Sequence, residues 1–198
     1  NWPMRPLGEI LACGPQNGLY KHSSSYGSGT PILRIDAFYD GEIRDLQSLK
    51  RLQLSTDEIA KYQLEENDIV INRVNSPEYL GKSALVRGLT EPTVFESNMM
   101  RMAVHTNLVD PVFLIWLLQT PFIRRHVLSR AKDAINQSSI NQDDVRSIPV
   151  PLPLITMQRT FAARAAEIRE LEFAQATCRQ HIDDLFHSLL HRAFQGVL

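Results

Sequence analysis

"NQSSINQDDVRSIPVPLPLITMQ", residues 136–158, decides how this chain divides. A polar run of amides and hydroxyls leads into a short apolar run broken by Pro149, Pro151 and Pro153, and a long helix-compatible segment follows at once. Proline has no amide N–H to give a helix and holds the residue before it in extended backbone. "IPVPLP" therefore reads as a stiff strap that cannot join the helix. Upstream, Asn136 to Asp143 reads as a polar loop closing a globular domain, with Asp143-Asp144 as the N-cap of a short helix "DDVRSI". Downstream, no Gly or Pro occurs from Thr156 until Gly196. Phe161, Ile168, Gln175, Ile182 and Leu189 recur at one heptad position. Arg164, Leu171, Cys178, Leu185 and Arg192 lie three residues further on. The two rows fit the a and d positions of a coiled coil, with polar Gln175 in one a layer. Thr156 to Arg192 would span ~55 Å at ~1.5 Å per residue. That is too long to bury its seam on one small domain, so the pattern predicts a partner helix, parallel or antiparallel. The expected division is a globular domain over 1–154 and a spacer or dimerisation helix over 155–198.

The globular part reads as mainly strands with flanking helices, an α+β arrangement. "LGEILAC" (7–13) is a short strand or a helical turn. "GPQNGLYKHSSSYGSGTP" (14–31) is rich in turn residues and reads as a long irregular loop. "PILRIDAFYDGEI" (31–43) is a strand followed by the turn "YDGE". "STDEIAKYQL" (55–64) is a short helix with Ser55 or Thr56 as N-cap and Glu58 at capping-box distance from Ser55. "NDIVINRV", "KSALVRGL" and "MMRMAVHT" are three further strands. Asp110 and Pro111 open a helix that Pro121 kinks or divides.

Composition narrows the classes of function. Hydrophobic residues are 43% and charged residues 22% of the 198, values of a globular protein, and no apolar run approaches the ~20 residues of a membrane span. No secretion signal is visible. The chain opens at Asn1-Trp2-Pro3 without a Met, which predicts processing or excision from something longer. Cys13 and Cys178 form no metal or disulfide pattern and read as two thiols in a reducing cytoplasm. Net charge is −1. Residues 1–110 carry 11 basic and 14 acidic side chains and residues 111–198 carry 10 and 8, so the chain is no free-standing, non-specific nucleic-acid binder. Any basic residues that meet nucleic acid must be gathered on one face, or other chains must supply much of the attraction.

No catalytic set is visible. "YGSG" (26–29) leads into a strand and not a helix, so it reads as a flexible turn and not a phosphate cradle. Ser23 to Ser25 lack a nucleophile elbow. His187 and His191 are spaced for a metal but have no third ligand, and Asp183-Asp184 reads as a surface pair. "INRVNSPEYLGKSALV" (71–86) is different. It gathers Asn72, Arg73, Asn75, Ser76, Tyr79 and Lys82 at a strand end, where they form either an ordinary polar surface loop or a base-reading one. Arg can read guanine and Asn adenine bidentately, while Tyr, Ser and Lys suit phosphate and sugar.

The order of these motifs resembles that of the specificity (S) subunits of type I restriction-modification systems, over almost the whole chain. "WPMRPLGEI" is similar to the family's lead-in to a target-recognition domain, and "GTPILRI" to its first core strand. "NDIVINRVNSPEYLGKSALV" is similar to a family segment in which Gly usually stands at the place of Asn67, and "FESNMMRM" to the strand pair after it. The 136–158 stretch is similar to the family's polar, Pro-rich, Gln-ending joint, with Ala134 near the usual Gly and Leu154 where a second Pro is common. Met157 and Gln158 then begin the spacer helix.

The resemblance implies one recognition domain and one spacer helix, either half of a longer subunit or a natural half-subunit that pairs with itself, and no chemistry of its own. It implies recognition of half a bipartite target in double-stranded DNA and docking of methyltransferase (M) and restriction (R) subunits. S-adenosylmethionine, ATP and Mg would belong to those partners, leaving this chain without a cofactor. Self-pairing through Phe161, Ile168, Leu171, Gln175, Cys178, Ile182, Leu185 and Leu189 would give a homodimer and a palindromic target. The expected base readers are Asn72, Arg73, Asn75 and Tyr79, with Ser76 and Lys82 beside them and Lys21, His22 and Tyr26 second. Arg34 and Arg101 read as phosphate contacts or strand salt bridges. Arg124, Arg125 and Arg130 either track the backbone or form a solvated helix face. Two rivals are a helical adaptor whose globular domain binds protein, and the recognition domain of a single-chain methyltransferase. The second lacks the adenine-handling motif it would need.

Overall fold

Alternating β-branched residues in Ile69-Val70-Ile71 send side chains to both faces of a strand, and the chain builds its largest sheet around them. The computed structural model describes residues 2–134 and 137–196. The chain divides into two compact units, Asn1–Gln158 and Arg159–Leu198. The first begins with β1 (Met4–Pro6), β2 (Leu11–Asn17) and β3 (Tyr26–Leu33), then β4 (Phe38–Tyr39), β5 (Gly41–Ile43) and β6 (Arg51–Leu52). After α1 (Thr56–Tyr62) come β7 (Ile69–Asn72), β8 (Val74–Asn75), β9 (Ser83–Leu85), β10 (Val94–Phe95) and β11 (Met99–Val104). Two helices, α2 (Pro111–Leu118) and α3 (Pro121–Arg130), precede β12 (Lys132–Ala134) and β13 (Gln137–Ser139). A short α4 (Gln142–Arg146) and β14 (Pro149–Pro151) lead into α5 (Ile155–Phe194). This is an α+β fold, as the strand and helix patterns predict.

The main sheet has six strands in the order β2-β11-β7-β9-β5-β4. β5 and β9 are parallel, and the other neighbours are antiparallel. Ile69, Ile71, Met100 and Met102 face one core with Leu114, Ile115, Leu118, Ile123 and Val127 of α2 and α3. Val70, Ala84 and Met99 face a second core with Leu33, Phe38 and Phe95. Both faces of β7 are thus buried. Each fully buried aliphatic side chain contributes roughly 1.5–3 kcal/mol, which makes these two layers the main source of stability.

Local signals act where the sequence places them. Ser55 and Glu58 form a reciprocal capping box on α1. Asp110 accepts from the Val112 and Phe113 amides, and Pro121 starts a separate helix capped by Thr120. Asp40 and Gly41, with φ 54° and 83°, make the two-residue loop of the β4–β5 hairpin. Asn67 has φ 69°, left-handed backbone that Gly or Asn tolerates best, which accounts for the exchange between them at this place.

Three expectations are corrected. The 14–31 segment is not one irregular loop: β2 runs to Asn17 and β3 starts at Tyr26. Its glycine serves a strand. At Gly29 (φ +108°) a Cβ would lie 2.6 Å from the Leu52 carbonyl oxygen, where β3 bulges past β6. The cap of α4 is Asn141 and not Asp143-Asp144. The Asn141 Oδ1 accepts from the Asp143 and Asp144 amides, while the Asp144 carboxylate accepts from the Asn141 amide. The closing segment is not simply a loop either, since β13 pairs with both β12 and β8. Asn136 lies outside the described residues.

The proline strap is extended, as its prolines require, and β14 pairs antiparallel with β1, Met4 opposite Pro151. Gln158, in the first turn of α5 and 1% exposed, fastens that turn to the head. Its Oε1 accepts from the Asp110 amide at 2.9 Å, and its Nε2 donates to the carbonyls of Leu108 (3.1 Å) and Pro153 (2.8 Å).

Candidate nucleic-acid interface

The strand end at Asn72 carries two polar clusters of opposite character. In the first, β7 hands over to the 76–82 turn. Asn72 is fully buried, and its Nδ2 donates to the Tyr79 carbonyl at 3.4 Å. Its backbone amide donates to the Lys82 carbonyl, and its own carbonyl accepts from Gly81. Buried in this way, the Asn72 side chain clamps the turn and does not face solvent as expected of a base reader, and its Oδ1 has no partner among the described residues. Lys82 folds inward. Its Nζ donates to the Ile35 carbonyl at 2.6 Å and lies 3.8, 4.8 and 5.3 Å from the ring centroids of Tyr39, Phe38 and Tyr79. Burial pushes its pKa down; Asp36 opposes this, Arg44 adds to it, and Asp40 opposes it. The hydrogen bond and ring contacts hold the half-buried Lys82 side chain against the head. Tyr79 meets Tyr39 edge-on at 6.4 Å, and Arg124 donates to the Glu78 carbonyl at 2.7 Å, so the turn is held from several sides.

The second cluster forms where segments distant in sequence meet. β8 pairs with β13, Asn75 opposite Ser138, which brings the amide-rich joint against the strand end. A cleft of about 480 Å³ opens there, lined by Asn17, Arg73, Asn141, Gln142, Asp143 and Arg146. Arg73 makes one side-chain hydrogen bond, Nη1 to the Ser97 carbonyl at 3.2 Å, and its buried Nε has no partner among the described residues. Arg146 pairs with Asp143 at 3.0 Å and is exposed. Asn17, Asn141, Gln142 and Arg146 were not among the expected readers. Their residue types were visible, but only the β8–β13 pairing shows that they neighbour Arg73.

The other expected residues are mostly engaged. Lys21 pairs with Glu58 at 2.6 Å, and the His22 ring accepts from the Ser24 amide. Arg34 sits over the Tyr26 ring and 3.8 Å from both Asp36 and Glu96. Arg101 donates to the Gln63 carbonyl and lies 3.4 Å from Asp68, on the salt-bridge side of its two readings. Asn75 and Ser76 are half-buried, with the Asn75 Oδ1 accepting from the Ser76 amide, while Arg124, Arg125 and Arg130 are exposed on α3. A further cleft of about 280 Å³ holds Arg34, Arg44 and Lys50, but also Asp36 and Asp45.

Along α5 the expected seam is exposed at every position, including Phe161, Ile168, Leu171, Gln175, Cys178, Ile182, Leu185 and Leu189. Phe186, Leu190 and Phe194 add a second exposed stripe at i, i+4 and i+8 that the heptad reading omitted. Among the described residues there is no group of three metal-binding side chains, and no helix is long and apolar enough to cross a membrane.

The fold, strand-built residues followed by one long helix, is shared with solved type I specificity subunits. An S subunit from Thermoanaerobacter tengcongensis superposes with TM-score 0.61 at 17% identity over 93% of this chain and 47% of its own. A chain from a structure of a type I restriction-modification assembly does so with TM-score 0.60 over 97% of this chain and 49% of its own. No protein-family profile matches the chain. The MjaX sequence of Methanocaldococcus jannaschii, assigned as a type I specificity subunit, is 33% identical over 164 residues, 82% of this chain and 38% of its own length. The StySPI specificity subunit of Salmonella potsdam is 26% identical over all of this chain and 43% of its own. The chain is a homologue of type I specificity subunits, and it spans about two fifths of the length of these curated relatives.

Proposed function

We propose that this chain is a non-catalytic DNA-recognition unit that reads one half of a bipartite target and docks methyltransferase and restriction subunits. The alignment with the MjaX subunit, which runs through most of the chain, carries the reading. Three features support it: the open polar cleft at the strand ends, the exposed seam on α5, and a second exposed stripe fitting a helix covered on more than one side. A bipartite target needs two heads, the second lying either further along a longer chain or in a second copy. A second copy joined through the Phe161–Leu189 seam supplies one, and a two-fold pair then reads a palindrome. The 40 residues of α5 correspond to ~60 Å, or ~18 base pairs, the scale of two short half-sites and a gap.

The test mixes the purified chain with a type I methyltransferase subunit, labelled S-adenosylmethionine and a pool of duplexes. Methyl transfer to adenine at one recurring sequence, absent when either protein is omitted, is the expected result. Transfer with no sequence preference rejects the reading and leaves the protein-binding adaptor.

A further inference from the structure

The two clusters at the strand end are rivals for reading bases, and their hydrogen bonding separates them. A base reader must present donors and acceptors that the folded protein leaves unengaged. Around Lys82 the groups are withdrawn from solvent: its ammonium donates to the Ile35 carbonyl and lies against three rings, and Asn72 is buried, its Oδ1 without a partner among the described residues. Across the cleft, Arg73 uses one of the five N–H groups of a guanidinium, and the Gln142 and Asn17 amides make no side-chain hydrogen bond among the described residues. The cleft is also built from three separate segments, at 17, 73 and 141–146, so its donors are fixed by the sheet and α4 and not by one flexible loop.

Resting on the function proposed above, we infer that this cleft is the base-reading site, and that the half-site it takes contains a G·C pair read by Arg73 and an A·T pair read by Gln142. The planar guanidinium fork matches guanine O6 and N7, and a side-chain amide matches adenine N6 and N7. Asn17 lines the same cleft and supplies a further amide. Arg146, exposed and tied to Asp143 on the same lining, is a phosphate contact that positions without specifying.

Selection from a randomised duplex pool tests this, using the full chain as wild type, Arg73→Lys, Arg73→Ala, Gln142→Ala, Arg146→Ala and Lys82→Met. Wild type recovers a fixed sequence. Both Arg73 variants lose roughly 5- to 150-fold discrimination at a single G·C pair and keep the other positions. Gln142→Ala removes no side-chain bond among the described residues, so it folds, and it relaxes a different, A·T position. Arg146→Ala weakens all sequences alike and lowers the salt slope by about one, and Lys82→Met recovers the wild-type sequence. The cleft assignment is overturned if Gln142→Ala and Arg73→Lys keep the full pattern, or if Lys82→Met is the variant that changes it. A wild type that recovers no sequence overturns the proposed function itself, an outcome distinct from a wild type with a site that the cleft variants leave intact.

Discussion

Replacing Gln158 by leucine tests whether one side chain fastens the first turn of α5 to the head. Gln158 makes three hydrogen bonds at 2.8–3.1 Å to backbone groups of Leu108, Asp110 and Pro153, and it is 1% exposed. Leucine fills similar space but returns none of these bonds. It leaves one amide and two carbonyls short of partners. A buried group left unsatisfied costs ~1–3 kcal/mol, and the Asp110 and Leu108 bonds are only part-buried, so the whole loss comes to roughly 2–4 kcal/mol. With a urea m-value of ~2 kcal/mol/M, the unfolding midpoint falls by ~1–2 M. The signal is available in Trp2 and Trp116, both in the head. Gln158→Glu adds a signature that simple loss of packing lacks. A carboxylate would face the two carbonyls that Nε2 now serves, and only its protonated form can donate to one. Its folded pKa therefore rises above the unfolded value of ~4.3. The variant's deficit is smallest below that value and grows as pH rises through the raised folded pKa. A Gln158→Leu protein within ~0.5 kcal/mol of wild type, or a Gln158→Glu deficit independent of pH, refutes the reasoning.

Three further outcomes are expected. Lys82→Met keeps the aliphatic stem but loses the ring contacts and the Ile35 bond, and should lower head stability by ~1–2 kcal/mol in thermal melts. Burial pushes the Asp68 carboxyl pKa up against the opposing Glu65 amide and Arg101. Its contribution is therefore fully present below the unfolded value of ~3.9 and is lost as pH rises through the raised folded value, so Asp68→Asn should flatten the fall in stability just above pH ~4. Ile182→Asp, on the exposed seam, should leave the head's melting unchanged while light scattering moves from dimer to monomer; a wild type that is strictly monomeric at high micromolar concentration removes the self-pairing.

Features set by a few neighbouring residues were legible in the sequence. The Ser55–Glu58 box, the Asp110-Pro111 start, the Asp40-Gly41 hairpin and the proline strap each rest on local backbone preferences. Features set by distant contacts were not. The parallel pairing of β3 with β10 joins residues about sixty apart, and no local pattern states it. At the candidate site the residue types were legible but their use was not. Asn72 and Arg73 are neighbours in sequence, yet the pleat of β7 buries the first while Arg73 lines the cleft. Lys82 looks like a phosphate contact until the fold closes Phe38, Tyr39 and Tyr79 around it. Asn67, an apparent departure from a glycine pattern, is explained once its backbone is seen to be left-handed.

The pairing of β1 with β14 places Met4 directly opposite Pro151, so the path of the chain enters and leaves the head at one point. Everything between those strands, including both cores and the cleft, is closed off by this two-stranded stem and by the Gln158 bonds beside it. A segment held this way behaves as a cassette. On the function proposed above, two exchanges in the gene, far apart in sequence but adjacent in the fold, would replace the whole reading surface and keep the exposed seam of the helix, with only the Leu108 and Asp110 contacts to Gln158 to be matched. On that same function, new specificities then arise by exchange of a complete head, without re-evolving the parts proposed to assemble around it.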